Sequence, residues 1–184
     1  MRYAILLAVL AAPVFADTCP PGPDRSAALS DLRAALQAAP DAGAAGPISA
    51  QMWELWLSAP DAVAQELLDE GLRKRNNFDF FGAFQSFDAL IAYCPDYAEG
   101  FNQRAFTSYL REDFAAALVD LDAALALLPD HVGAQSGRAL TLMNLGRIPE
   151  ARAQMLAALE NNPWLSERAL LADGGPLAVP GEDI

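Results

Sequence analysis

Apolar residues along this chain recur at the spacing of one helix face, and the whole pattern then repeats every 34 residues. Within each unit, small, bulky and proline positions keep fixed columns. The columns are Gly71, Ala105 and Ala139; Phe80, Phe114 and Ile148; Ala83, Ala117 and Ala151; and Pro95, Pro129 and Pro163. A period of this length, with small residues where helices meet and a closing proline, predicts an array of helix-turn-helix repeats.

Each unit divides into two predicted helices joined by a short polar turn. The predicted pairs are 61–76 with 80–93, 96–110 with 114–127, and 130–144 with 148–161. Asp61, Asp96 and Asp130 each follow a proline, so we expect their carboxylates to accept the free N–H groups at a helix start. Abundant Ala and Leu, with few β-branched residues, favour the same all-α class.

The segment before the repeats is less regular. Residues 17–61 are predicted to form a leader and a degenerate repeat, with a helix to about residue 39, a break over 40–47 and a second helix over 49–58. Trp53 and Trp56 are three residues apart and share a helix face, so we expect both to pack the degenerate repeat against Leu67 and its neighbours.

The segment after the repeats is predicted to close the array. The last repeat of a solenoid exposes an apolar face, and the amphipathic residues 164–173 are suited to cap it as a further helix. Residues 174–184, rich in glycine, proline and acidic residues, are predicted to be a disordered tail.

The fixed columns resemble those of the tetratricopeptide repeat (TPR) family. In register, the three units run approximately over 64–97, 98–131 and 132–163 within the range 62–163, and only Leu90 departs from the small residues in its column. The resemblance implies a right-handed α-solenoid whose concave groove is lined by the first helix of each repeat. It also implies that this groove binds a protein or peptide partner.

The resemblance places candidate partner-binding residues on those first helices. They are Leu72, Arg75, Asn102, Phe106, Tyr109, Ser136, Leu140 and Met143. Phe106, Tyr109, Leu140 and Met143 form an apolar set suited to a hydrophobic or helical peptide. The alternative is that this set packs between helices or under another segment of the same chain.

One branch of the family clamps a partner's terminal carboxylate with lysine, arginine and asparagine. The corresponding positions here hold Leu68, Leu72, Gln103, Gly133 and Gly137. Because these residues carry no cation, we do not expect that mode of binding.

The formal net charge is −12, with one lysine and one histidine. Such an acidic surface repels phosphate backbones and anionic lipid headgroups, which excludes nucleic acid as a partner. Arg104 and Arg138 occupy the same column of two repeats and either grip an acidic ligand or pair with Asp120 and Asp122 of the second helices. Structural pairing is the favoured interpretation.

The N-terminus has the features of a secretory signal peptide over residues 1–16. A basic start at Arg2 precedes twelve apolar residues, and small residues at 14 and 16 predict cleavage after Ala16. The apolar run is too short for a stable membrane-spanning helix, although an N-terminal anchor is the alternative. Cleavage leaves 24 acidic and 11 basic residues, a net charge of −13, and predicts a periplasmic or secreted protein.

Two cysteines, Cys19 and Cys94, remain after cleavage. In an oxidising compartment an even pair favours one disulfide, which here closes a long loop and stabilises the fold by about 3–4 kcal/mol. Lipid attachment at Cys19 and two free thiols are the alternatives, and the residues before Cys19 lack the apolar and small residues of a lipidation site.

The sequence holds no phosphate-binding glycine loop, nucleophile elbow or set of metal ligands at coordinating spacing. We therefore predict no catalytic residue, no cofactor and no metal, and expect a binding scaffold of the cell envelope rather than an enzyme. The alternatives are an accessory subunit of an envelope enzyme or assembly complex, an enzyme with an unrecognised site, and a structural protein that self-associates through its ends. An open apolar groove favours the scaffold, and converging carboxylates favour the enzyme.

Overall fold

The computed structural model describes residues 18–179, and helices account for most of them. The part of the chain that lies in this range holds eight α-helices and one 3-10 helix, and no strand. The helices are α1 (Ser26–Ala38), α2 (Ala42–Trp56), α3 (Ala62–Asn76), α4 (Phe80–Tyr93), α5 (Ala98–Leu110), α6 (Phe114–Leu127), α7 (Val132–Asn144) and α8 (Ile148–Asn161), followed by the 3-10 helix Ser166–Leu171. The predicted signal peptide lies outside these residues.

Six of these helices form the three predicted repeats: α3 with α4, α5 with α6, and α7 with α8. The second helix of each repeat packs on the first helix of the next, α4 on α5 and α6 on α7. The small columns lie at these contacts and are fully buried. Gly71 is the extreme case, because a Cβ there would lie 2.4–2.8 Å from the Phe87 ring. The predicted all-α repeat architecture is confirmed.

The turn inside each repeat uses one left-handed residue at the same step of the period. Phe78, Glu112 and Gly146 have φ values of 62°, 60° and 74°. In two repeats an aspartate caps the start of the second helix. Asp79 accepts a hydrogen bond from Gly82 N at 2.9 Å, and Asp113 accepts one from Ala116 N at 3.2 Å.

The aspartates that follow the closing prolines behave differently from one another. Asp61 accepts from Ala64 N at 2.8 Å, as predicted. The prediction is wrong for Asp96 and Asp130: Tyr97 precedes α5 without a side-chain cap, and His131 Nδ1 accepts from Ala134 N at the start of α7. Asp130 is drawn away because its carboxylate pairs with Arg33 of α1.

Helix α2 begins at Ala42, seven residues earlier than predicted. Asp41 starts the helix by accepting from Ala44 N at 2.8 Å. Pro47 lies inside the helix, where its fixed φ is compatible with the α conformation and its missing N–H removes one hydrogen bond near the helix start. The N-terminal cap therefore prevails over the glycines and prolines that predicted a break.

Helices α1 and α2 form a hairpin, but this hairpin does not stack on α3 as a first repeat would. Leu29, Leu36, Met52 and Trp56 share a buried cluster with Val132 of the third repeat. Helix α1 also packs against α8. The hairpin therefore lies across the array, and the prediction that it stacks as a degenerate repeat is wrong.

Hydrogen bonds at the far end of the hairpin fix this placement. The Gln37 side-chain amide donates to Glu160 O at 2.8 Å, and Trp164 Nε1 donates to Leu36 O at 2.9 Å. The N-terminal hairpin is thus joined to the C-terminal end of the last repeat.

The C-terminal segment closes the last repeat in an unexpected form. The capping helix is a 3-10 helix rather than an α-helix, and the chain then folds back so that Leu177 N donates to Leu170 O at 2.9 Å. Leu177 is fully buried among Leu142 and Met155. Residues 174–179 of the predicted tail are therefore ordered against the core, because the bare face of α7 and α8 accepts one more leucine. Residues 180–184 of that predicted tail lie outside the described residues.

Candidate functional site

The first helices of the three repeats, α3, α5 and α7, line one common face, which the sequence predicts to be the partner-binding groove. Groove positions near the starts of these helices are buried: Leu68 is 0%, Glu99 1% and Ser136 8% exposed. Positions nearer the helix ends are accessible, and Phe106 is 46% exposed. We call the two parts the covered half (Leu68, Glu99, Asn102, Ser136) and the open half (Phe106, Tyr109, Leu110, Leu140).

Two tryptophans of α2 cover the α5 and α7 residues of the covered half, whereas Leu68 of α3 lies in a separate cluster. Trp56 stacks on the His131 imidazole with ring centroids 4.1 Å apart and an interplanar angle of 18°. Trp53 lies over Gly133, where an added Cβ would be 2.6 Å from the indole ring. The Tyr97 hydroxyl donates to Trp56 O, and burial raises the pKa of Tyr97. The prediction that both tryptophans pack against Leu67 is wrong, because Leu67 belongs to the separate cluster around Leu68.

A buried polar network centred on Glu99 lies under these tryptophans. Its carboxylate is 2.7 Å from His131 Nε2 and also accepts from the Asn102 and Gln103 side-chain amides. Because His131 Nδ1 accepts the Ala134 N–H, the proton of a neutral imidazole is on Nε2 and is donated to Glu99.

The geometry of this network suits a structural role. His131 is 0% exposed and Glu99 1% exposed, and both imidazole nitrogens are already bonded. The network anchors α2 and the start of α7 to α5.

Arg75 connects the network to the open half. Its guanidinium donates to Gln103 Oε1 and lies over the Phe106 ring, with 4.8 Å from Cζ to the ring centroid. Burial lowers the pKa of Arg75, and the nearby Glu99 carboxylate opposes that effect.

The leader is attached to the first repeat by a Cys19–Cys94 disulfide, as predicted, with the two Cα atoms 5.1 Å apart. Arg25 donates to Ser58 Oγ at 3.0 Å and ties the start of α1 to the segment after α2. A cavity of about 770 Å³ lies between the leader, Trp56 and the turn before α5. The disulfide and the Arg25–Ser58 hydrogen bond hold the start of α1 and the end of α2 in place.

The open half contains a pocket of about 230 Å³ at its border with the covered half. Its walls are aromatic and aliphatic side chains together with amides and hydroxyls. The lining residues are Trp53, Asn102, Gln103, Ala105, Phe106, Tyr109, Leu121, Gly133, Ser136, Gly137, Leu140, Thr141 and Glu167. Tyr109 is held by an edge contact with Phe114, with centroids 5.4 Å apart, and by the Asn144 amide, which donates to its hydroxyl at 3.1 Å.

Five of the eight predicted groove residues line this pocket: Asn102, Phe106, Tyr109, Ser136 and Leu140. The other three do not. Met143 packs towards the α7–α8 core, Leu72 packs with the Leu68 cluster, and Arg75 lies against Phe106.

Trp53 and Glu167 were not predicted, because both come from outside the repeats and occupy no column of the period. The one sequence feature that could have indicated the contact made by Trp53 is Gly133, a glycine on a groove-lining face. No sequence feature indicates that Glu167 lines the pocket.

The two column arginines are structural, as predicted. Arg104 donates to both oxygens of Asp120 at 2.9 and 2.7 Å and pairs with Asp88, and these bonds raise its pKa. Arg138 donates to Asp122 at 2.6 Å. Neither is free to grip an acidic ligand.

Within residues 18–179, no group of His, Cys, Asp and Glu residues is arranged to hold a metal ion. In the same range, no helix has the length and apolar character needed to cross a membrane.

The repeat geometry matches solved TPR domains. The first TPR of Spaghetti (RPAP3), solved with an HSP90 peptide, is 23% identical with a TM-score of 0.56, over 58% of this chain and 84% of that one. The TPR2B domain of yeast Sti1, solved with an Hsp70 peptide, is 24% identical with a TM-score of 0.55, over 59% of this chain and 90% of that one.

The TPR2AB segment of yeast Sti1, in complex with an HSP90 peptide, is 22% identical with a TM-score of 0.55. The match covers 69% of this chain and 50% of that one. Neither a protein-family model nor a curated protein sequence matches the chain. At these identities the comparisons establish the fold, and this chain has the fold of a TPR domain.

Proposed function

We propose that this protein is an exported scaffold that binds a protein or peptide partner through the open half of its groove, without chemistry of its own. The observation that carries the proposal is the 230 Å³ pocket on the face of the first helices, with Phe106 nearly half exposed at its rim. Exposed aromatic residues beside a preformed concave surface are typical of peptide recognition. The solved TPR domains with bound peptides support the same class of function.

Variants at the pocket rim test the proposal. Cross-linking in the native compartment identifies the partner, and purified partner is then titrated against the Phe106→Ala, Tyr109→Ala double variant. We expect at least a tenfold weaker affinity, because hot-spot aromatic residues contribute about 2 kcal/mol or more. Val119→Ala is the matched control, since Val119 is an exposed apolar residue of α6 (69%) outside the pocket lining. Unchanged affinity of the double variant would contradict the proposal.

We also propose export to the periplasm with cleavage after Ala16. The disulfide between Cys19 and Cys94 supports an oxidising compartment, because such bonds persist there and are rare in the cytosol. Mass spectrometry of the protein from the envelope fraction is expected to show a chain that starts at Asp17 and lacks two hydrogens. A retained Met1, or two thiols that alkylate without reduction, would contradict export or the bond.

A further inference from the structure

The pocket in the open half has walls that suit a long aliphatic side chain. Trp53, Phe106 and Tyr109 supply aromatic surface, and Leu121 and Leu140 supply aliphatic surface. Its volume of about 230 Å³ equals roughly eight water molecules at 30 Å³ each, which is the scale of one large side chain.

Three polar side chains of this pocket, Asn102, Ser136 and Thr141, present acceptors to a ligand, because their own donors are already used within the protein. The Asn102 amide donates to Glu99, at 3.1 and 3.2 Å, and the Gln103 amide donates to Glu99 as well. Ser136 Oγ donates to Gly133 O at 3.2 Å, and Thr141 Oγ1 donates to Gly137 O at 2.8 Å. The amide oxygen of Asn102 and the hydroxyl lone pairs remain.

Glu167 adds a carboxylate to the same lining. It accepts a hydrogen bond from Ser166 Oγ at 3.0 Å, and within residues 18–179 no Lys or Arg lies within ion-pair distance of it. Arg75, which contacts two residues of the lining, already donates to Gln103 and covers one side of Phe106.

The net charge of the whole chain also favours a positively charged ligand. The net charge is −12, so a basic partner segment is attracted and an acidic one is repelled. The positions that clamp a carboxylate in one TPR branch hold Gln103, Gly133 and Gly137 in this pocket, without a cation. Both observations exclude an acidic tail as the preferred occupant.

We propose that this pocket binds a lysine or arginine side chain of the partner. Its aliphatic stem lies along Phe106, Tyr109 and Trp53, and its charged end donates to the Glu167 carboxylate. A cation beside aromatic rings gains from their quadrupoles, and a carboxylate without an ion-pair partner supplies a charge-assisted hydrogen bond. The inference rests on the proposed function, since it names the chemistry that the open half selects.

A positional peptide library tests the inference. Four pools of otherwise random heptapeptides carry lysine, arginine, norleucine or glutamate at the central position, and peptides retained by the immobilised full chain are counted by mass spectrometry. We expect the lysine and arginine pools to be retained about tenfold over the norleucine and glutamate pools. Equal retention of norleucine and lysine, or preference for glutamate, would overturn this inference and leave the proposed function standing. Retention of no pool would overturn both.

A matched pair of variants locates the preference. Glu167→Gln is expected to reduce the lysine-over-norleucine ratio to near one while norleucine peptides are still retained. Glu160→Gln, which removes the same charge from an exposed residue of α8 outside the lining, is expected to keep the ratio. If both variants lower the ratio equally, net charge rather than the pocket sets the preference, and the assignment to Glu167 is wrong.

Discussion

The covered half and the open half of the groove are built from the same helices, α3, α5 and α7, yet they have opposite surroundings. At the covered half, α2 supplies Trp53 and Trp56, and the Glu99–His131 pair below them is buried, with both imidazole nitrogens hydrogen-bonded. At the open half, Phe106 and Leu110 remain about half exposed. One end of the groove is thus filled by the chain itself, and the other is available to a partner.

This difference shows how a repeat array can be restricted by a segment outside the period. The hairpin α1–α2 occupies the starts of the groove helices, where Trp53 lies over Gly133. Trp53 therefore borders the open half on the side of the helix starts.

The largest expected change in stability distinguishes two aromatic residues, one from each half of the groove. Trp56→Ala removes a buried indole that stacks on His131, and we expect it to lower the free energy of unfolding by about 4 kcal/mol. Phe106→Ala in the open half is expected to cost about 1 kcal/mol or less, because its ring is half exposed. Urea denaturation measures both, and equal losses would contradict the distinction between the halves.

The next effect concerns the bond that holds the leader. Replacement of both Cys19 and Cys94 by serine is expected to lower the free energy of unfolding by about 3–4 kcal/mol, because the bond closes a loop between residues 75 apart. The reduced wild-type protein is the control and should lose a similar amount. A loss confined to the variant would mean that the serines, rather than the missing bond, destabilise the fold.

A smaller effect is expected from the buried network. His131→Leu leaves the Glu99 carboxylate with two amide donors but without the imidazole, and we expect a loss of about 2 kcal/mol. A Glu99→Leu, His131→Leu double variant removes both polar groups and should lose less than the sum of the two single variants. Strict additivity in this cycle would show that the two side chains do not interact.

The smallest expected effect is the contribution of the Asp61 carboxylate to folding stability at low pH. The N–H of Ala64, followed by the Tyr93 hydroxyl, lowers the pKa of Asp61 in the folded state. A carboxyl group with a lowered folded-state pKa stabilises the fold above its unfolded value, about 4, and this contribution is lost as the pH falls below that value. Asp61→Asn should therefore flatten the loss of stability below pH of about 4, whereas Asp31→Asn on the exposed face of α1 should not.

The sequence alone predicts most of the repeat array. The glycine, alanine and proline columns locate α3 to α8 to within about two residues, because the same packing contact recurs at each step. The capping role of Asp61 is also predicted, because a helix cap depends only on residues that are close in sequence.

The covered half could not be predicted from the period. Trp53 meets Gly133 across 80 residues of sequence, and Asp130 leaves its expected capping role because Arg33 of α1 binds it. Leu177 fills the last repeat from a glycine- and proline-rich segment whose composition predicts disorder. Such contacts depend on tertiary placement, which neither helix periodicity nor composition contains.

The most direct test of the central claim is a nuclear Overhauser experiment on the intact, oxidised protein. We predict cross-peaks between the Trp53 indole and the Gly133 α protons, and between the Trp56 indole and the His131 imidazole. These contacts place α2 on the groove. Cross-peaks from both indoles to the Leu67 methyl groups, with none to residues 131–133, would show that α1–α2 stacks as an ordinary first repeat and does not cover the groove.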